Sequence, residues 1–102
     1  MKYQLVCQWP ASAIRDFDAL IRIEGLLTQN LTEHHEVDGH DAGSGEINIF
    51  IITNDPLGAF EQAKTILGQS GDMDKLRAGY RRVTGNNFTI LWPKTLNEFK
   101  II

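Results

Sequence analysis

The sequence predicts an α+β domain, because stretches with a two-residue period alternate along the chain with stretches that have a helical period. Two observations carry this prediction. Tyr3–Trp9 alternates between two faces as a strand does, and Ala13–Leu31 has the spacing of a long amphipathic helix. The chain of 102 residues has the length of one domain, which we take as residues 1–102.

The first strand and helix each have one face expected on the core. Pro10 ends the strand, and Ser12 is a suitable N-cap for the helix. Glu24 projects into the middle of the apolar stripe of this helix, so it must pair, take up a proton or reach solvent. The strand face consists of Tyr3, Leu5, Cys7 and Trp9, and the helical stripe consists of Ile14, Phe17, Leu20, Ile21, Leu27 and Leu31.

A hairpin is predicted in the middle of the chain, where the polar segment Glu33–Asp41 is followed by the turn Ala42–Gly45 and the segment Glu46–Thr53. Glu46–Thr53 is apolar on both faces, which indicates a strand in the interior of a sheet. The polar segment belongs at the sheet edge, where its charges discourage pairing with other molecules.

The second half of the chain predicts a helix and two more strands. Asp55 caps the helix, Pro56 occupies its first position, and Gly68 is a suitable stop. The inner face of this helix is Leu57, Phe60, Ala63 and Leu67. The two strands are Ala78–Thr84 and Phe88–Trp92, joined by a turn at Gly85, Asn86 and Asn87. The tail Lys94–Ile102 has four apolar side chains that we expect to dock: Leu96, Phe99, Ile101 and Ile102.

The resulting order β-α-β-β-α-β(β) resembles the ferredoxin-like plan, also called split βαβ. The resemblance covers most of the chain and is one of architecture, with no sequence motif behind it. It implies a two-layer sandwich, in which an antiparallel sheet of four or five strands has two helices on one face. Because this plan hosts many unrelated functions, it implies no activity.

Histidines and carboxylates in the polar segment are the candidates for chemistry. His40 and Asp41, beside a glycine-containing turn, form the pair that we select for acid–base catalysis, with Glu24 as a further candidate. A metal site would use the side chains that strand alternation places on one face: His34, Glu36, Asp38 and His40. The alternative is a solvated edge strand followed by an ordinary turn, and we therefore expect no metal and no cofactor.

One basic stretch suggests a site for anions. Arg77, Tyr80 and Arg81 combine guanidinium groups with an aromatic ring, an arrangement that binds phosphates or stacks on bases. Contact with an acidic partner, or pairing with Glu24 and the hairpin carboxylates, is the competing interpretation. The net charge of −3 argues against binding to nucleic acid.

The sequence favours a protein-interaction or regulatory module over an enzyme. Apolar side chains on the central strand, with Ile23 and Leu26 on the first helix, suggest an exposed surface and hence a homodimer or another protein partner. The expected location is the cytoplasm, without membrane contact, because no signal peptide or membrane span is visible. The alternative function is a small metal-binding protein or enzyme that uses the His, Asp and Glu cluster.

Overall fold

The structure of the chain, a computed structural model, describes residues 1–14, 16–32, 34–43 and 45–101. Glu33, Ser44 and Ile102, which belong to the predicted polar segment, turn and tail, lie outside the described residues. The elements follow the predicted order: β1 Tyr3–Pro10, a 3-10 turn Ala11–Ala13, α1 Phe17–Asn30, β2 His35–Gly43, β3 Glu46–Thr53, α2 Pro56–Ser70, β4 Arg77–Arg82 and β5 Thr89–Trp92.

The five strands form one antiparallel sheet in the order β2-β3-β1-β4-β5, with both helices packed on one face. The predicted α+β fold class, a two-layer sandwich, is therefore confirmed. β3 lies in the interior and β2 lies at an edge, as their polarity predicts, and β1 lies between β3 and β4. None of the described helices is long and apolar enough to cross a membrane.

The core lies between the helices and the face of β1 that carries Leu5, Cys7 and Trp9, all of them buried. Burial raises the pKa of the Cys7 thiol to about 12, so this cysteine is a small core residue in its protonated form. The indole Nε1 of Trp9 donates a hydrogen bond to the carbonyl of Asp72 at 2.9 Å, which ties β1 to the segment after α2.

The first helix begins later than predicted, at Phe17 instead of Ala13. Its N-cap is Asp16, whose side chain accepts a hydrogen bond from the backbone of Ala19, and Ser12 belongs to the preceding 3-10 turn. The buried stripe is also different: it consists of Leu20, Ile23 and Leu27, whereas Phe17 and Ile21 are exposed. The prediction is confirmed for Leu20 and Leu27 and wrong for Phe17 and Ile21, because the phase of the predicted stripe was set by Ile14, which lies before the helix.

The second helix begins as predicted, with Pro56 at its first position and Asp55 accepting a hydrogen bond from the backbone of Gly58. Its buried face includes Phe60, Ala63 and Leu67, but Leu57 is exposed. That part of the prediction was wrong, since the buried face in the first turn is formed by Pro56 and Ala59 and Leu57 lies outside it.

The second helix ends at Ser70, two residues beyond the predicted stop at Gly68. Gly71 has a φ of +81°, the left-handed conformation that closes a helix and that glycine adopts without strain. The strands that follow are both shorter than predicted, with β4 ending at Arg82 and β5 starting at Thr89.

An ion pair between Arg22 and Asp72 joins α1 to the segment after α2, with two hydrogen bonds of 3.1 and 3.2 Å. Partial burial by itself would raise the pKa of Asp72. Hydrogen bonds from Arg22 and Ser70, together with the charge of Arg22, outweigh that effect and hold the pKa below its usual value. Asp72 is therefore a carboxylate that stabilises the folded state.

The tail docks on the face of the sheet that the helices leave uncovered, which we call the open face. Phe99 is buried there, against Gly79 and in edge contact with the ring of Phe88 at 5.0 Å. The side-chain amide of Gln8 donates to the carbonyl of Lys100 at 3.0 Å. Docking of the tail, predicted from its apolar side chains, is confirmed for Phe99.

Candidate functional site

A β-bulge in the edge strand determines where the central histidine lies. Gly39 has a φ of +126°, a conformation that L side chains rarely adopt, and the pairing of β2 with β3 shifts between Val37 and Gly39. Beyond the shift, His40 pairs with Ile49 on the face that the helices cover. The bulge thus turns the imidazole toward α1.

His40 meets the one carboxylate that the sequence placed inside a helical stripe. Its Nδ1 lies 2.9 Å from Oε2 of Glu24, and the two side chains are 27% and 20% exposed. The ring of Phe17 is in edge contact with the imidazole, at 5.8 Å between centroids. In the neutral ring a carboxylate at Nδ1 favours the proton on that atom, which leaves Nε2 as an acceptor.

This contact corrects the predicted partners of Glu24, which were arginines of β4. The first helix packs over β2, whereas β4 lies on the far side of β1. Arg77 forms its ion pair with Glu46, one of the hairpin carboxylates, and the Nε of Arg81 donates to Gln4 at 3.1 Å. Glu24 is out of reach of these arginines, and a histidine brought close by the bulge takes their place.

The structure does not bring the side chains of His40 and Asp41 together, although the two residues are neighbours in β2. Asp41 pairs with Asn48, a residue whose side chain bonds to Gln8 on the open face. Neighbouring residues of a strand point to opposite faces, so Asp41 and His40 lie on two sides of the sheet. Of the three catalytic candidates, the structure brings together His40 and Glu24.

The predicted metal ligands do not share a face. Glu36 pairs with Ile52 on the open side, whereas the bulge moves His40 to the covered side. His34 and Glu36 line a separate cavity of about 230 Å³ near Lys2. In residues 1–14, 16–32, 34–43 and 45–101, no group of three or more His, Cys, Asp or Glu is arranged to hold a metal ion.

Two exposed apolar side chains lie beside the Glu24–His40 pair. Phe17 is 61% exposed and Ile21 is 43% exposed, and they are one helical turn apart on α1. Both side chains were predicted to lie in the core, so they were missed as surface residues. The available signal was Glu24, because a carboxylate in the middle of their stripe indicates a flank that reaches water.

The surroundings of this apolar pair are acidic. Asp16 and Asp18 flank Phe17 along the chain, and Asp38 precedes His40 by two residues in the bulge of β2; all three are exposed. Because Phe17 contacts His40, these carboxylates are chain neighbours of one apolar spot. We call this surface the α1–β2 edge: Phe17, Ile21, Glu24, His40, Asp16, Asp18 and Asp38.

The predicted anion-binding residues divide in a similar way. Tyr80 and Arg81 line a cavity of about 400 Å³ at the end of β4, together with Tyr3 and Arg82. Arg77 lies elsewhere, in its ion pair with Glu46 on the open face. The cavity is therefore built from two of the three residues that the sequence suggested.

Comparison of this chain with models of protein families, with curated proteins and with solved structures gives no match.

Proposed function

We propose that this chain is a protein-interaction module that binds a basic partner through the α1–β2 edge. The observation that carries the proposal is the exposure of Phe17 beside the Glu24–His40 pair. Large aromatic side chains are enriched among the residues that dominate binding energy in interfaces, particularly where surrounding contacts exclude water. Ile21 extends the apolar spot by one helical turn.

Rigidity of the surface supports this role. Glu24 and His40 connect α1 to β2 directly, so that the helix and the edge strand present one fixed surface. A surface that is ordered before binding loses little conformational entropy when a partner docks. Phe17 is also held in place by its contact with the imidazole ring.

The negative charge of the α1–β2 edge indicates which class of partner would bind there. Three exposed carboxylates adjoin the residues of the apolar spot along the chain, so a partner with lysines or arginines around an apolar side chain is complementary to it. A symmetric homodimer through the same edge would place these carboxylates against their own copies. Like charges across an interface are destabilising, so the charge pattern favours a different protein over a second copy here.

Homodimerisation has a better location on the open face. Phe50 and Ile52 are only half-buried there, beside the part that Phe99 covers. A second copy could pack on these side chains if the tail leaves the sheet. Self-association through the open face is the second mode of interaction that we propose, and the oligomeric state of a Phe99→Ala variant tests it.

The interaction proposal is tested with a soluble probe peptide that has two central leucines flanked by lysines. We expect calorimetry to show saturable binding that weakens as NaCl rises from about 0.05 to about 0.5 M, because salt screens exposed charges. Phe17→Ala should weaken binding about tenfold, the effect of losing one interface anchor. The matched control is Leu57→Ala, since Leu57 is 58% exposed but lies on α2.

Equal effects of the two substitutions, or equal binding of a peptide with glutamates in place of the lysines, would contradict the proposal. Both variants should keep the melting temperature of the parent chain within a few degrees, because each removes an exposed side chain.

A second candidate function follows from the 2.9 Å contact between His40 and Glu24. An imidazole oriented by a carboxylate can accept a proton at Nε2 and serve as a general base. If the chain has an enzymatic activity of this class, His40→Gln should abolish it while the Phe17→Leu variant, which keeps an apolar side chain, retains most of it. Loss of stability without loss of activity in His40→Gln would show that the histidine is structural.

A further inference from the structure

We propose that the cavity at the end of β4 is a binding site for a small aromatic anion, a planar ring that carries a phosphate or a carboxylate. This site is separate from the α1–β2 edge, and it stands or falls independently of the function proposed above. Its volume is about 400 Å³, within the range of small-molecule sites in proteins. Its lining includes Tyr3, Tyr80, Arg81, Arg82, Asn86 and Asn87.

The wall of the cavity is built by Arg81. Its Nη1 donates to the carbonyl of Gly85 at 2.5 Å, and its Nε donates to Oε1 of Gln4 at 3.1 Å. The guanidinium also lies over the ring of Phe88, 5.7 Å from its centroid. These contacts hold the loop between β4 and β5, so the cavity exists before any ligand arrives.

Arg82 supplies the charge that a ligand would meet. Within the described part of the chain, its guanidinium makes no hydrogen bond or ion pair, and the side chain is exposed. None of the described residues that line the cavity is acidic. A guanidinium with no carboxylate partner binds phosphate or carboxylate through paired N–H donors. The amide groups of Asn86 and Asn87 add further donors at the same rim.

The aromatic part of the ligand is selected by two tyrosines. The rings of Tyr3 and Tyr80 lie 5.7 Å apart at an interplanar angle of 81°, and both side chains are partly exposed at the cavity. This edge-to-face pair presents ring surface on which another planar ring can pack. The combination of ring surface and unpaired guanidinium fits a ligand that has both features in one molecule.

The test is an NMR titration of the full chain with four probes: phenyl phosphate, benzoate, inorganic phosphate and phenol. We expect phenyl phosphate or benzoate to shift the amides of Tyr80, Arg82 and residues 85–87 with a Kd of about 1 mM or tighter, and phosphate and phenol to bind more weakly. The two anionic aromatics distinguish a phosphate ligand from a carboxylate ligand.

Two substitutions distinguish binding at a specific site from a general attraction of anions to the protein. Arg82→Gln should weaken binding about tenfold, because a hydrogen bond to a charged group contributes that much. Lys94→Gln, which removes the same charge at an exposed position outside the cavity, should leave binding unchanged. Equal losses in the two variants, inorganic phosphate binding as tightly as phenyl phosphate, or no saturable shift with any probe would overturn the proposal.

Discussion

The Nδ1 atom of His40 lies 2.9 Å from Oε2 of Glu24, and this contact joins the edge strand β2 to the helix α1. It depends on the bulge at Gly39, without which strand alternation would place the imidazole on the open face.

Gly39→Ala should lower the free energy of unfolding by about 1–3 kcal/mol, because alanine at a φ of +126° is strained. Steric overlap is not the cause, since a Cβ at this position would meet no atom within 4 Å. Urea denaturation measures the change. Gly68→Ala is the matched control: its Cβ is equally unobstructed, but the residue is helical, so we expect a gain of about 0.5–1 kcal/mol. Equal effects would show that the backbone at Gly39 is relaxed.

A double-mutant cycle with Glu24→Ala and His40→Ala should give a coupling energy of about 1 kcal/mol at neutral pH. Both groups are more than two-thirds buried, so their interaction is screened less than that of a surface pair. The control cycle uses Glu61 and Lys64, which are 3.1 Å apart and for which we expect about 0.3 kcal/mol, because the Glu61 side chain is 71% exposed. A coupling energy for Glu24 and His40 no larger than that of the control pair would show that their contact does not hold α1 and β2 together.

Asp72 should give the chain a component of stability that acid removes. Its pKa is lowered in the folded state, so its stabilising contribution is present above the pKa of an unfolded aspartate, about 4, and is lost as pH falls through the lower folded value. Asp72→Asn should lower the free energy of unfolding by about 1 kcal/mol at pH 7, a modest figure because Arg22 is half exposed. The difference from the parent chain should shrink as pH falls from about 4 to about 2.

Arg22→Gln provides the second half of this test, because it removes the cation and keeps the carboxylate. The pKa of Asp72 in the folded state should then rise toward that of an unfolded aspartate, so the loss of stability in acid should be smaller and should end at a higher pH. Urea denaturation across this pH range measures both variants, and a constant difference between Asp72→Asn and the parent chain would contradict the assignment.

Phe99→Ala should lower the free energy of unfolding by about 3 kcal/mol, because it removes a buried aromatic side chain from the open face. The same change should uncover the half-buried side chains of Phe50 and Ile52. If the open face supports self-association, light scattering over a dilution series should show a dimer for this variant at concentrations where the parent chain is a monomer. A variant that is destabilised yet monomeric throughout would contradict the homodimer.

Much of the fold could be predicted from the sequence because two signals are local. β3 is apolar on both faces, which indicates its burial directly, and Asp55 followed by Pro56 is a start signal that acts within one turn. The alternation in β1 indicated a strand but not the burial of its second face, where Val6 and Gln8 lie. The buried face of α1 was harder to predict, because the short turn Ala11–Ala13 leaves Ile14 outside the helix.

The site was harder to predict because it depends on one backbone conformation. Alternation assigns His40 to the face of Glu36, and only the φ of Gly39 reverses that assignment. The partner of Glu24 then follows from which strand lies beneath α1, a tertiary property that residue spacing does not contain. The cavity at the end of β4 could be predicted in part, because Tyr80 and Arg81 are adjacent in the sequence, whereas Tyr3 joins it from the other end of the chain.

The central claim is that the α1–β2 edge is the interaction surface, and a map of amide shifts with the lysine-leucine probe peptide tests it most directly. We predict that the largest shifts fall in residues 17–24 and 38–42. Shifts concentrated on the open face, in residues such as Phe50, Ile52 and Phe99, with residues 17–24 unaffected, would contradict it.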